Sequence, residues 1–220
     1  MLIETQGITL KSTPFKDRSK ILQVLTKNLG VISLIVNGLS NKNLNLINLC
    51  SLFTISELII KKTNSDIYSL QEAHISEANL HLRKNLKMLN SASYITKAVL
   101  DSHFPQKQSS SIYLLFKTYL KKIDTNPDAL YLSFLIKFLS LEGLINLKPT
   151  CSNCDKPALN IKNGECFCED HSEDFSFNFS NEDFEKLLLL CYAKSFSLIE
   201  QIDVSLELKE KTNALFYDLI

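Results

Sequence analysis

Glycine is scarce in this sequence: there are five among 220 residues, at positions 7, 30, 38, 143 and 164, and each stands where a turn or a close approach would use it. A glycine-rich phosphate loop is therefore excluded, and neither HExxH nor GxSxG occurs. Histidine is equally thin. His74, His81 and His103 are isolated and read as surface or core side chains. Glu4, Asp17, Glu57 and Glu72 are scattered through the first part of the chain, where only a tertiary structure can pair them. No arrangement here asks for catalysis, so a non-enzymatic protein is expected. Long apolar runs are also missing. The longest, Leu187 to Ala193, falls far short of the roughly 20 residues that a membrane span needs. The opening residues lack both a basic stretch and a small-residue cleavage site. The expected location is the cytoplasm, with no membrane partner.

The balanced charge hides a division. Residues 1–150 carry 18 Lys/Arg against 10 Asp/Glu, whereas residues 151–220 carry 6 against 14. Such a split points to two surfaces with different partners, the basic one suited to phosphate backbones. The plainer reading is a lysine-rich solvated surface.

Short apolar or β-branched segments fill the first 75 residues: Ile3 to Lys11, Ile21 to Thr26, Val31 to Val36, Leu52 to Lys61 and Ile67 to His74. Turn-forming stretches separate them at Pro14 to Arg18, Asn28 to Gly30, Asn37 to Asn48 and Asn64 to Asp66. Five strands at this spacing predict a small barrel. Ser19 to Asn28 also fits a helix-capping pattern, but Gly30 and the β-branched run after it favour a hairpin. From about Ser76 the apolar period becomes helical, with one or two helices ending before Pro105 and another around Phe116. Asn126-Pro127 opens a further helix closed by Gly143, and Ser180 with Asp183 caps the next; the last runs from about Leu206 to Leu219. The expected class is α+β: a five-stranded barrel over 1–75, then a mainly helical domain over 76–220 with an irregular cysteine-bearing module at 149–179 inserted.

Within that module Cys151 and Cys154 form a CxxC knuckle, and Cys168 and His171 follow as CxxH. Paired knuckles let four side chains converge on one ion while the intervening chain closes the site, so these four are the candidate ligands of one zinc ion. Cys166 is the reserve in place of Cys168 or His171. A disulfide is disfavoured because nothing indicates export. Four protein ligands leave no position for water, which makes the role structural. Cys50 and Cys191 sit among leucines and read as small buried hydrophobes.

A barrel with basic edges is a platform for single-stranded nucleic acid, because lysines follow the backbone while aromatic faces stack on bases. The candidate DNA-binding residues are Lys11, Lys16, Arg18, Lys20, Lys42, Lys61 and Lys62, with Phe15 and Phe53 as possible stacking faces. The competing reading is a zinc-stabilised structural or protein-interaction module that does not touch DNA.

Three stretches then resemble the bacterial RecO family of DNA-repair and recombination mediators. The first runs through Gly7 to Lys11, Asp17 to Leu22, Leu25-Thr26, Gly30 and Val36 to Gly38; the second is Leu82 to Leu86 with Ala92 to Tyr94. The third joins Leu141 to Gly143, Pro149, the CxxC at Cys151, Gly164 and the CxxH ending at His171. Two departures stand out: the segment Gly38 to Asn43 offers only Lys42 where relatives are strongly basic, and His171 stands where a cysteine is common. The resemblance implies an oligonucleotide-binding barrel joined to a helical domain. It also implies binding of single- and double-stranded DNA, annealing of complementary strands coated by single-strand-binding protein, and loading of RecA together with RecR. The implied protein partners are RecR and the acidic C-terminal tail of single-strand-binding protein. Residues 81–150, with 10 Lys/Arg against 4 Asp/Glu on helices rich in Leu and Phe, are where that tail is expected to dock, with Lys117, Lys121, Lys122 and Lys137 on its rim.

Overall fold

Alternation of apolar and polar residues builds the first five strands, because successive side chains of a strand point to opposite faces. In the computed structural model, which describes residues 1–102, 110–172, 174 and 176–220, they are β1 (Leu2–Lys16), β2 (Ser19–Thr26), β3 (Gly30–Asn37), β4 (Ile55–Lys62) and β5 (Ile67–Glu77). In β3, Ile32, Leu34 and Val36 are buried while Val31, Ser33 and Ile35 are half-buried. The strands close into a barrel in the order β1-β2-β3-β5-β4, with β1 returning to β4. All neighbours are antiparallel except β3 and β5, which pair in parallel over three residues. This is the oligonucleotide-binding topology. Gly7 sits where β1 is held on both sides, opposite Thr26 and Ser56. A Cβ there would lie 2.5 Å from Val24 Cγ1, so only glycine lets the strands close up.

Three boundaries differ from the sequence expectation. Pro14 does not end the first strand, because β1 runs on to Lys16 with β-bulges between Thr9 and Lys11 and between Pro14 and Lys16. Beyond Ile8, β1 pairs with β2 alone, and a proline is tolerated at a bulge on an open edge. The stretch Asn37 to Asn48 is not only a turn: it carries helix α1 (Leu44–Leu49), one of whose first-turn amides, that of Leu46, donates to the Asn43 side chain. Leu49 and the following Cys50 join the barrel core, and burial pushes the Cys50 thiol up against the opposing charge of Lys20. The fourth strand starts at Ile55 rather than Leu52, since Phe53 takes a left-handed φ of 67° and its amide turns inward to Thr9 O at 2.8 Å.

The remaining helices are α2 (Leu86–Asp101), α3 (Ser110–Lys122), α4 (Pro127–Leu141), α5 (Asn181–Tyr192), α6 (Phe196–Glu200) and α7 (Leu206–Leu219), with short strands β6 (Asn160–Lys162), β7 (Glu165–Phe167) and β8 (Phe177–Asn178) between α4 and α5. Asn126 caps α4 as expected, accepting from the Ala129 amide, and its Nδ2 donates to Glu200 O and Ile202 O. Residues 129–136 of α4 are all buried, so no polar face is left and the helix is central, packed by α5, α6 and α7. Ser180 caps α5 through the Asp183 amide. His81 meets Leu120 O at 3.2 Å; His103 and Pro105 lie outside the described residues.

Two compact units result. One comprises Met1–Asn85 with Val99–Lys121, the other Leu86–Ala98 with Lys122–Ile220. No helix among the described residues is long and apolar enough to cross a membrane.

Candidate metal centre and nucleic-acid surface

The cysteine module is ordered by backbone pairing before any ion is considered. β6 and β7 form a hairpin across Asn163-Gly164, whose φ values of 50° and 78° are those of a type I′ turn. That Asn-Gly pair is a hairpin signal inside a stretch whose composition otherwise predicts an irregular loop. Gly164 is further constrained because a Cβ on it would lie 2.1 Å from Leu144 O. The first knuckle is closed by the Thr150–Pro157 bridge and by the Cys151 amide donating to Lys156 O at 2.9 Å. The second is a 3-10 turn over Glu169–His171, with the His171 amide donating to Cys168 O at 3.2 Å.

These turns bring Cys151, Cys154, Cys168 and His171 together with their ligand atoms all within 4.8 Å of one another. His171 Nδ1 lies 3.5, 3.4 and 3.4 Å from the sulfurs of Cys151, Cys154 and Cys168, and the Cys154 and Cys168 sulfurs are 3.7 Å apart. A tetrahedral ion with Zn–S bonds of about 2.3 Å and a Zn–N bond of about 2.0 Å spaces its sulfurs about 3.8 Å apart and sulfur from nitrogen about 3.5 Å. The donor set fits one such ion, with Nδ1 as the imidazole ligand. Cys166 is not in the group. Its buried sulfur accepts the Lys148 amide at 3.3 Å and faces Asn146 O at 3.5 Å, and burial pushes its thiol up.

The electrostatics suit a cation. Burial opposes the Cys151 thiolate, yet the amides of Asn153, Cys168 and Cys154 and the His171 ring outweigh it and bring the pKa down to about 6. At Cys154 the Lys156 amide works downward, but desolvation and the neighbouring Cys168 and Cys151 thiols raise the pKa overall. The Cys151 thiolate is thus available near neutrality, which favours a cation at the cluster. Glu165 accepts from Ser152 Oγ and Asn146 Nδ2 and ties the first knuckle to the hairpin, while Lys156 pairs with Asp170 across the two knuckles.

The seven candidate DNA-binding residues fall in several places. Lys16 ends β1, Arg18 lies in the β1–β2 turn, and Lys20 follows on β2, opposite Pro14. Lys61 and Lys62 end β4, opposite Ser69 and Tyr68. Lys11 stands opposite Gln23 at the first bulge, and Lys42 precedes α1. All are exposed except Lys20, which is half-buried. The lysines expected to rim a docking site are partly engaged: Lys121 pairs with Glu77 at 2.7 Å, and Lys137 donates to Ala193 O at 2.8 Å.

The scattered carboxylates are gathered by strand register. Glu4, Ile59 and Glu72 form one row across β1, β4 and β5, and Gln6, Glu57 and His74 form the next row on the same face. Together with Lys27 they line a groove of about 580 Å3. Tyr113, whose hydroxyl donates to Gln6 at 3.4 Å, is pushed up to about 12 by burial and then by the Glu77 and Glu57 carboxylates. With three carboxylates against one lysine this face is acidic, whereas the β1–β2 hairpin carries Lys16, Arg18 and Lys20.

Residues 1–79 match the family model described as Recombination protein O N terminal. Curated relatives named DNA repair protein RecO align with nearly all of the chain. The protein of Caldicellulosiruptor bescii is 29% identical over 223 residues, covering 97% of this chain and 90% of the relative. That of Chlamydia muridarum is 22% identical, covering 98% and 95%, and that of Bacillus cytotoxicus is 22% identical, covering 99% and 92%. The chain is thus similar to proteins of this one description along nearly all its length, and the segment that matches their N-terminal family model is the one that folds as the closed barrel.

Proposed function

We propose that this chain serves DNA repair and recombination as a non-enzymatic, cytoplasmic mediator. It binds single- and double-stranded DNA through the barrel, anneals complementary strands coated by single-strand-binding protein and, with RecR, helps to load RecA. The observation that carries this reading is the division of the barrel surface: Lys16, Arg18 and Lys20 stand on one hairpin, while Glu4, Glu57 and Glu72 share a separate face. Phosphate contacts supply affinity without sequence preference, and annealing needs only that backbone repulsion be neutralised while base edges stay free. The ion held by Cys151, Cys154, Cys168 and His171 is zinc in a structural role, since four protein donors complete its shell. Lys117 and Lys122 remain on the proposed rim for the acidic tail of single-strand-binding protein, whereas Lys121 and Lys137 have protein partners.

Strand annealing tests the whole. Two labelled complementary strands, each coated with single-strand-binding protein, should pair faster when the purified chain is added, without ATP and without cleavage of either strand. A requirement for a hydrolysable nucleotide, or no acceleration by folded protein that binds neither strand, overturns the proposal.

A further inference from the structure

Two phenylalanines offered stacking faces, and the fold separates them. Phe53 is 3% exposed, locked in the turn before β4 with its amide bonded to Thr9 O. Phe15 is 49% exposed and is the only exposed large aromatic among the described residues of the barrel unit. It occupies a particular position. Pro14 pairs with Lys20 and Lys16 with Ser19, so Phe15 is the extra residue of the second bulge in β1. A bulge re-aims a side chain, and the preceding proline narrows the backbone freedom behind it. A single exposed apolar residue normally needs no explanation. This one is surrounded by cations, with Lys16 Nζ 5.4 Å from its ring centroid and Arg18 and Lys20 close along the same hairpin.

We propose that Phe15 stacks on an unpaired base and so makes the barrel bind single strands more tightly than duplex. The inference rests on the DNA-binding reading above. A ring has two faces: with Lys16 over one, the other is open to a base, while Lys16, Arg18 and Lys20 reach the flanking phosphates. The bases of a duplex are already stacked on each other and present no free face, so the contact is lost there.

Because the chain contains no tryptophan, Phe15→Trp installs one fluorescent reporter. Its emission should be quenched on saturation with oligothymidine while affinity is retained. Phe15→Ala should weaken oligothymidine binding about 10-fold or more. Duplex affinity and the salt slope should be unchanged, since no charge is removed. Phe15→Leu, which keeps apolar bulk without a π face, should lose as much as Phe15→Ala. Four results overturn the proposal: Phe15→Ala binding oligothymidine like wild type, Phe15→Ala losing duplex and single strand equally, Phe15→Leu retaining full affinity, or tryptophan emission that does not change at saturation. The first of these leaves the DNA-binding reading standing and removes Phe15 from it. Failure of the wild type to bind either DNA overturns both.

Discussion

Cys154→Ser or Cys168→Ser should abolish metal binding at the Cys151, Cys154, Cys168 and His171 cluster. The purified wild type should carry one zinc per chain, with three sulfurs and one nitrogen in the absorption-edge fine structure, and either substitution should bring the metal content close to zero. The module between Pro149 and Phe179 owes its shape to two knuckles and a hairpin of three-residue strands, so little apolar burial would stand in for a lost ion. Isolated zinc-finger peptides draw roughly 10–16 kcal/mol of folding free energy from their metal. Here α4 and its neighbours keep a core of their own, so the expected loss is smaller, on the order of several kcal/mol, and it should appear as hydrogen exchange confined to the module. Cys166→Ser is the discriminating control. Its sulfur is bonded to backbone groups outside the ligand set, so the zinc should stay. A metal content near zero in protein kept reduced sinks the assignment, and an all-sulfur shell would put Cys166 in the place of His171.

The second large effect belongs to the β1–β2 hairpin. Replacing Lys16, Arg18 and Lys20 together by alanine should weaken binding of a labelled single strand, most strongly at low salt. Each phosphate contact contributes about 0.7 to the salt slope on single strands, so removing three should flatten it by about 2. Lys61→Ala with Lys62→Ala is an independent test at the end of β4. Lys16, Arg18, Lys61 and Lys62 are exposed and Lys20 is half-buried, so circular dichroism should hardly change. Anisotropy over a salt series decides the matter. Equal affinity and equal slope for wild type and both variants would move the DNA off the barrel, in favour of the basic helical region.

How much of this could be read without coordinates follows from the range of each signal. Strand alternation, the Asn126-Pro127 cap, the Ser180 cap and the CxxC and CxxH knuckles are written within a few residues, and each reappears in the fold. Knuckle spacing is such a signal because two side chains three residues apart converge whatever lies beyond them. The Asn163-Gly164 turn is an equally local signal, but the strands it joins are only three residues long and too short to show an alternating pattern of their own.

Questions that depend on residues far apart in the chain were settled only by the tertiary structure. Pro14 lies inside a strand because β1 outruns β4, a fact about two segments some fifty residues apart in the chain. Cys166 and Cys168 are equally good candidates by spacing; backbone partners at Lys148 and Asn146 engage the Cys166 sulfur, and the Cys168 sulfur lies in the cluster with Cys151, Cys154 and His171. Phe15 and Phe53 are both phenylalanines beside turns, and barrel closure buries one while the bulge exposes the other. Glu4, Glu57 and Glu72 become one face only through the register of three strands. By itself the sequence determined which local pieces would form and which chemistry they carried. The choice among equivalent side chains waited for packing, because burial, desolvation and register are properties of neighbours that the chain brings together only when it folds.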